Sequence, residues 1–311
     1  LTRRSLLALP VALAVGYSVA LADEDDDRIK ITTTIGMIAD TVRNIGGERV
    51  DVIALMGPGV DPHVYKPSAG DVGRLDRAAI IFYGGLELEG RMTDTFEKIA
   101  KAGKPTYAVT DGIPEDRLRQ LEPNSSHHDP HIWFDVTLWK LATESIRSHL
   151  TNHHPDDTAL FQQNADAYQL QLDALDIYIR EQTATIPEGR RVLITAHDAF
   201  GYFGAQYGFE VLGVQGISTA SEAGTRDIQD LVDFIVERQI PAMFVESSVS
   251  PATIEAVQAA SRDRGWDVTV GGELFSDAMG ESGTPEGTYI GMVTFNIDTI
   301  AAALRGEVHE S

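Results

Sequence analysis

From Asp156 to Thr185 the chain runs for thirty residues without a glycine or a proline. Within that stretch Phe161, Ala165, Tyr168, Leu172, Leu175 and Ile179 alternate spacings of four and three. Such spacing draws one continuous apolar stripe down a helix. About 30 residues at about 1.5 Å each make a rod of roughly 45 Å. Pro155 stands before it and Pro187-Glu188-Gly189 closes it. Whatever lies on either side is therefore joined by a stiff element, not by a flexible tether.

Both flanks read as alternating strands and helices. On the first, Lys30 to Ile35, Val50 to Leu55, Ala79 to Tyr83 and Thr106 to Val109 are β-branched or apolar runs. Helical spacing separates them at Met37 to Ile45 and Ser68 to Arg77. On the second, strands are expected at Arg191 to Thr195, Phe209 to Val214, Ala242 to Glu246 and Asp267 to Val270. The helices there are Arg226 to Arg238 and Pro251 to Arg262, with Ser250 as the expected N-cap. Strand and helix in alternation build a mainly parallel sheet flanked by helices. The expected architecture is α/β, with two such lobes joined by one long rigid backbone helix. The segments are 23–154, 155–187 and 188–311.

Arg3 and Arg4, an apolar stretch from Leu6 to Ala22 and Ala20-Leu21-Ala22 before an acidic run have the form of a secretory signal. The expectation is that 1–22 is removed and the remainder is periplasmic. The two arginines also suit a twin-arginine signal. The 311-residue chain has 25 Lys and Arg against 47 Asp and Glu, a formal charge of −22. That charge repels nucleic acid and anionic lipid, so neither is expected as a partner. With no cysteine in the sequence, disulfides, thiolate metal sites and a lipidated N-terminal cysteine are not expected. Nine histidines remain as borderline-soft metal ligands.

Four of the polar segments carry chemistry. Asp61-Pro62-His63 follows a Gly57-Pro58-Gly59 turn, and the same tripeptide recurs as Asp129-Pro130-His131. Proline forces each aspartate into extended geometry and fixes the approach of the histidine. His197 lies just past the strand expected at Arg191 to Thr195, and Asp277 follows Gly271-Gly272-Glu273. Ligands collect beyond the carboxyl ends of strands in open α/β sheets. Three imidazoles and one carboxylate suit tetrahedral Zn²⁺, and a bidentate carboxylate would accommodate Mn²⁺. Each residue also has a plainer reading. In that reading the histidines are surface or hydrogen-bonded core residues, and Asp277 is a helix N-cap before Ala278-Met279.

The segments Gly57 to Tyr65, His128 to Asp135, Ala196 to Phe203 and Gly271 to Gly280 resemble the TroA/ZnuA-type zinc/manganese solute receptors of ABC importers. The resemblance extends through Gln215 to Thr219, Phe244 to Ser248 and Gly287 to Met292. It implies two α/β lobes on one backbone helix, with metal between them. Carried onto matching positions, the ligands are His63, His131, His197 and Asp277. It also implies delivery of Zn²⁺ or Mn²⁺ to an ABC permease with its ATPase, by a monomer without enzyme activity. Family members with a carboxylate at the position of His197 are more manganese-directed. Zinc receptors often carry a long His-rich loop before the second ligand, and here only Ser125 to Asp129 stands there.

Supporting roles follow. Glu246 is placed to orient a ligand imidazole, Asp135 to cap the helix starting at Val136, and Trp133, Phe200 and Tyr202 to shield the site. Metal requires neutral imidazole, so binding should weaken as pH falls through about 6.5. The stiff connector predicts a small tilt between lobes. The competing functions are a secreted zinc hydrolase with Asp198 as base, a metal-stabilised adhesin, and a receptor for an organic ligand.

Overall fold

The computed structural model describes residues 27–121 and 125–306. The expected signal segment 1–22 lies outside them. The first lobe opens with β1 (Ile29–Thr33), α1 (Gly36–Gly46), β2 (Val50–Ala54), α2 (Ala69–Arg77), β3 (Ile80–Tyr83), α3 (Thr93–Lys101) and β4 (Thr106–Ala108). Its four strands lie in the order β2-β1-β3-β4, all parallel. Two helices follow, α4 (Val136–His153) and α5 (Thr158–Ala184). The second lobe holds β5 (Val192–His197), α6 (Gly201–Tyr207), β6 (Glu210–Gln215), α7 (Thr225–Arg238), β7 (Ala242–Glu246), α8 (Ala252–Asp263), β8 (Thr269–Leu274) and α9 (Tyr289–Arg305). Here β5 pairs with β6 and β7 with β8, again parallel, and β5 lies beside β7.

The helices start and stop for local reasons. Ser68 and Asp71 form a reciprocal capping box at α2. Asp135 accepts the backbone N–H groups of Thr137 and Leu138 and so caps α4, as its position suggested. Gly306, in left-handed geometry, ends α9. At α8 the helix begins one residue later than expected, and Ser250 Oγ still accepts the Ala252 backbone N–H. Pro251, which has no side-chain donor or acceptor, occupies the N-cap position, and the Ser250 contact to Ala252 is 3.4 Å long.

The connecting helix is α5. It spans 27 residues, because Pro155–Asp157 wind as a tighter 3₁₀ turn before it. All six residues of the stripe are buried. They belong to one apolar cluster that runs from Ile29 and Ile31 under β1, through α4 and α5, to Phe200, Phe244 and Leu304 in the second lobe. A smaller cluster, with Ile194, Val232 and Ile254, fills the far side of the second lobe. Leu172 is fully buried in the middle of the stripe. Leu172→Ala should cost about 2–5 kcal/mol, because the rod cannot bend to fill the space. Urea unfolding should show a lower midpoint at an unchanged slope.

The start of α9 is pinned to the first lobe. The Tyr289 backbone N–H donates to Asp40 Oδ2 at 3.0 Å, and its hydroxyl donates to the Trp133 carbonyl at 2.7 Å. Its ring stacks on Trp139 with centroids 5.1 Å apart. Phe134 and Phe200 stack across the seam at 4.2 Å. The two lobes thus meet through packed aromatic side chains.

Strand ends differ from the sequence reading at the two places that carry site residues. β5 runs on to His197, so this imidazole sits in the last strand position and not in a loop. β8 runs to Leu274 and contains Gly271 and Gly272. Pairing with β7 slips between Met243 and Val245, a β-bulge. Gly272 has a φ of 142°, and a Cβ on Gly271 would fall 2.6 Å from Ala303 Cβ and 2.9 Å from Phe244. The glycines therefore continue the strand where α9 approaches it closely.

Candidate metal centre

The two Asp-Pro-His turns fold alike. Asp61 Oδ1 accepts the His63 backbone N–H at 2.8 Å, and Asp129 Oδ1 accepts that of His131 at 3.0 Å. This side-chain-to-backbone turn is what aspartate two residues ahead provides. Both turns aim their imidazoles at the seam. From the second lobe come His197 at the end of β5 and Asp277, three residues past β8. No helix starts at Asp277, whose capping alternative therefore fails.

Among the described residues these four form one group in which a ligand atom from each lies within 4.8 Å of the others. His63 Nε2 is 3.3 Å from His131 Nε2 and 3.4 Å from Asp277 Oδ2. His131 Nε2 is 3.4 Å from Asp277 Oδ1, and His197 Nε2 is 3.3 Å from Oδ2. Donors about 2.0–2.1 Å from a common centre at tetrahedral angles stand about 3.3–3.4 Å apart. All four residues are buried. His197 Nε2 and both Asp277 oxygens have no hydrogen-bond partner. Unpaired buried polar atoms cost free energy unless something binds them.

Each of two imidazoles has its far nitrogen fixed by a carboxylate. His131 Nδ1 donates to Asp129 Oδ1 at 2.7 Å, and His197 Nδ1 donates to Glu246 Oε2 at 2.5 Å. Glu246 Oε1 also accepts the His197 backbone N–H at 2.8 Å. A donor at Nδ1 leaves the Nε2 lone pair facing inward and sets the ring plane. The orienting role given to Glu246 is thus present. Asp129 does the same for His131, which the sequence reading missed although the repeated tripeptide was its signal.

Charge is balanced within the group. Burial alone would push His131 down, but the Asp277 and Asp129 carboxylates outweigh it and hold it up at about 9. Burial likewise opposes a proton on His197, and Asp277 and Glu246 overcome it, raising this ring well above its usual range. Burial pushes Asp277 up, yet the His197 and His131 rings outweigh that and hold its carboxyl well below the ordinary carboxylate range. Without an ion the group therefore holds protons in place of a cation.

The shielding residues are where they were expected. The Trp133 ring meets His131 edge-on at 5.2 Å, and its Nε1 donates to the Ser276 carbonyl of the other lobe at 3.0 Å. Phe200 is fully buried, and the Tyr202 hydroxyl donates to the Asp129 carbonyl at 2.9 Å. Asp198 is not in the group. It lines a separate cavity along β6 with Glu222 and Asp227.

The model of the ZnuA family, "Zinc-uptake complex component A periplasmic", matches residues 31–303. The chain belongs to the ZnuA family. Among ZnuA-family relatives, the "Zinc-binding protein TroA" of Treponema pallidum (strain Nichols) is 49% identical over 299 residues, covering 95% of this chain and 96% of that protein. The "Manganese-binding lipoprotein MntA" of Bacillus subtilis (strain 168) is 48% identical over 280 residues, covering 90% and 91%. The solved structure of the periplasmic zinc-binding protein TroA from Treponema pallidum superposes with a TM-score of 0.86 at 50% identity, covering 89% of this chain and 99% of that one. The ZnuA-family fold of two α/β lobes on a long helix is thus the fold of this chain.

Proposed function

We propose that the chain is an extracytoplasmic receptor that captures Zn²⁺ or Mn²⁺ between its lobes and passes it to an ABC permease for import. His63, His131, His197 and Asp277 are the ligands. The observation that carries this reading is the set of four buried side chains whose ligand atoms all lie within 4.8 Å of one another, three of those side-chain atoms having no hydrogen-bond partner. The zinc- and manganese-binding names of its relatives support the same cargo.

Capture, not turnover, fits the arrangement. Four protein donors complete a tetrahedral shell, whereas catalytic Zn²⁺ keeps a position for water. The only acid offered as a hydrolytic base, Asp198, lies along another cavity. Three imidazoles favour Zn²⁺, which binds nitrogen more strongly than Mn²⁺ does. Both oxygens of Asp277 face the group, so a larger shell for Mn²⁺ is also within its chemistry.

The test is metal analysis of the purified chain after dialysis against equal Zn²⁺ and Mn²⁺. One ion per chain is expected, mostly zinc. A chain that emerges without either metal refutes the assignment. Glu246→Gln should keep the one-ion stoichiometry and weaken affinity by about 10–100-fold, the usual effect of removing an orienting carboxylate. Titration against a competing chelator reads this directly.

A further inference from the structure

Resting on the metal-centre reading, we propose that Thr219 and Arg119 are positioning residues that tie both Asp-Pro-His turns to the opposite lobe, so that parting the lobes frees His63 and His131 while His197 stays held.

Each aspartate spends Oδ1 on its own histidine, which leaves Oδ2 to bind something else. Asp61 Oδ2 accepts the hydroxyl of Thr219, in the loop between β6 and α7 of the second lobe. Asp129 Oδ2 accepts Arg119 Nη1 at 2.7 Å. Arg119 belongs to the first lobe, but its guanidinium rests on the second. A Cβ added to Gly201, the first residue of α6, would fall 1.2 Å from Arg119 Nη1. Glycine at 201 is therefore the space this guanidinium occupies. The same guanidinium lies 5.7 Å from the centre of the Tyr202 ring. The Tyr202 hydroxyl accepts the Arg119 backbone N–H at 3.0 Å and donates to the Asp129 carbonyl at 2.9 Å. Residues 119 and 129 are also joined backbone to backbone, so Tyr202 grips both sides of one small ladder.

The support of His197 is different. Its carboxylate partner, Glu246, ends β7 in the same lobe as β5. Separating the lobes leaves that pair intact. It removes the Thr219 hydroxyl from Asp61, and Gly201 and Tyr202 from the Arg119–Asp129 pair. The Asp61 carboxylate can then turn about its own side chain, while Asp129 keeps only Arg119, whose guanidinium has lost its seat on the second lobe, so the imidazole that depends on each loses its fixed aim. Ligand placement tolerates errors of only about half an ångström, so the two first-lobe nitrogens leave the ion together. These contacts therefore set how long the ion stays, not how fast it arrives.

The experiment measures Zn²⁺ dissociation from the purified full chain by stopped flow into excess chelator, and association in a separate mixing series. Thr219→Val and Tyr202→Phe should each speed dissociation about tenfold, the scale of one hydrogen bond to a charged or tightly held group. Arg119→Met should do at least as much. Association should stay within about twofold, and Thr219→Ser, which keeps the hydroxyl, should restore the wild-type rate. Unchanged dissociation in Thr219→Val and Tyr202→Phe would overturn the proposal. So would a loss carried by association, or Thr219→Ser dissociating as fast as Thr219→Val. A wild-type chain that takes up no Zn²⁺ would overturn the metal-centre reading itself, and this proposal with it.

Discussion

His63→Ala and Asp277→Ala are each expected to leave the purified chain without bound metal under conditions that fill the wild type. Four-ligand zinc sites in small peptides are worth roughly 10–16 kcal/mol, so one ligand carries about 3 kcal/mol, or roughly 10²–10³-fold in affinity. Asp277 should cost more than His63. It lies within 3.4 Å of all three imidazoles, and of the four proposed ligands it alone would bring negative charge to the ion. The same experiment has a second readout. A ligand at about 1,000 times its Kd stabilises the folded state by about 4 kcal/mol. Zn²⁺ should therefore raise the unfolding temperature of the wild type by several degrees and that of either variant far less. Full stoichiometry retained in both variants would remove these residues from the site.

Lowering the pH from about 9 to 6 is expected to weaken metal binding steadily, by up to about tenfold per pH unit for each proton displaced. The sign follows from the metal-free group. His131 keeps its proton until about pH 9 because Asp277 and Asp129 outweigh its burial. His197 is raised in the same direction. An ion must expel these protons to reach Nε2, so binding strengthens as pH rises toward about 9 and levels off above it. The sensitive window lies higher than the 6.5 of an ordinary imidazole. Calorimetry at pH 7 in buffers of different ionisation enthalpy should count at least one proton released per ion. A constant affinity between pH 6 and 8 with no proton release would contradict the charge arrangement described for the site. The same raised pKa of His131 predicts that the metal-free fold is favoured below about pH 6.5 and loses that contribution as pH rises through about 9.

Much of this molecule was legible because its signals are local or periodic. The α5 stripe reads directly as burial, and all six residues named from spacing are buried. The Asp-Pro-His repeat marked two turns whose shape follows from an aspartate accepting a backbone N–H two residues on. The second lobe was harder at its edges. Gly271-Gly272 read as the end of a strand, yet the strand passes through them, because the reason for glycine there is the approach of Ala303 and Phe244. That crowding comes from residues distant in sequence and leaves no local trace. Thr219 meets Asp61 across 158 positions, and Arg119 meets Gly201 across the seam. Pairings of this kind depend on how the two sheets are set against each other, which periodicity does not specify.

The apolar cluster that continues from β1 through α5 to α9 makes the halves mutually dependent for folding. A calorimetric scan should accordingly show one melting peak, and a chain nicked near residue 187 should remain assembled. It also shapes how such receptors can diversify. A half borrowed from a distant cousin would have to match its new neighbour side chain by side chain along the whole contact. Swapping single residues around the ion leaves that shared interior untouched, and is the easier path to a new metal preference.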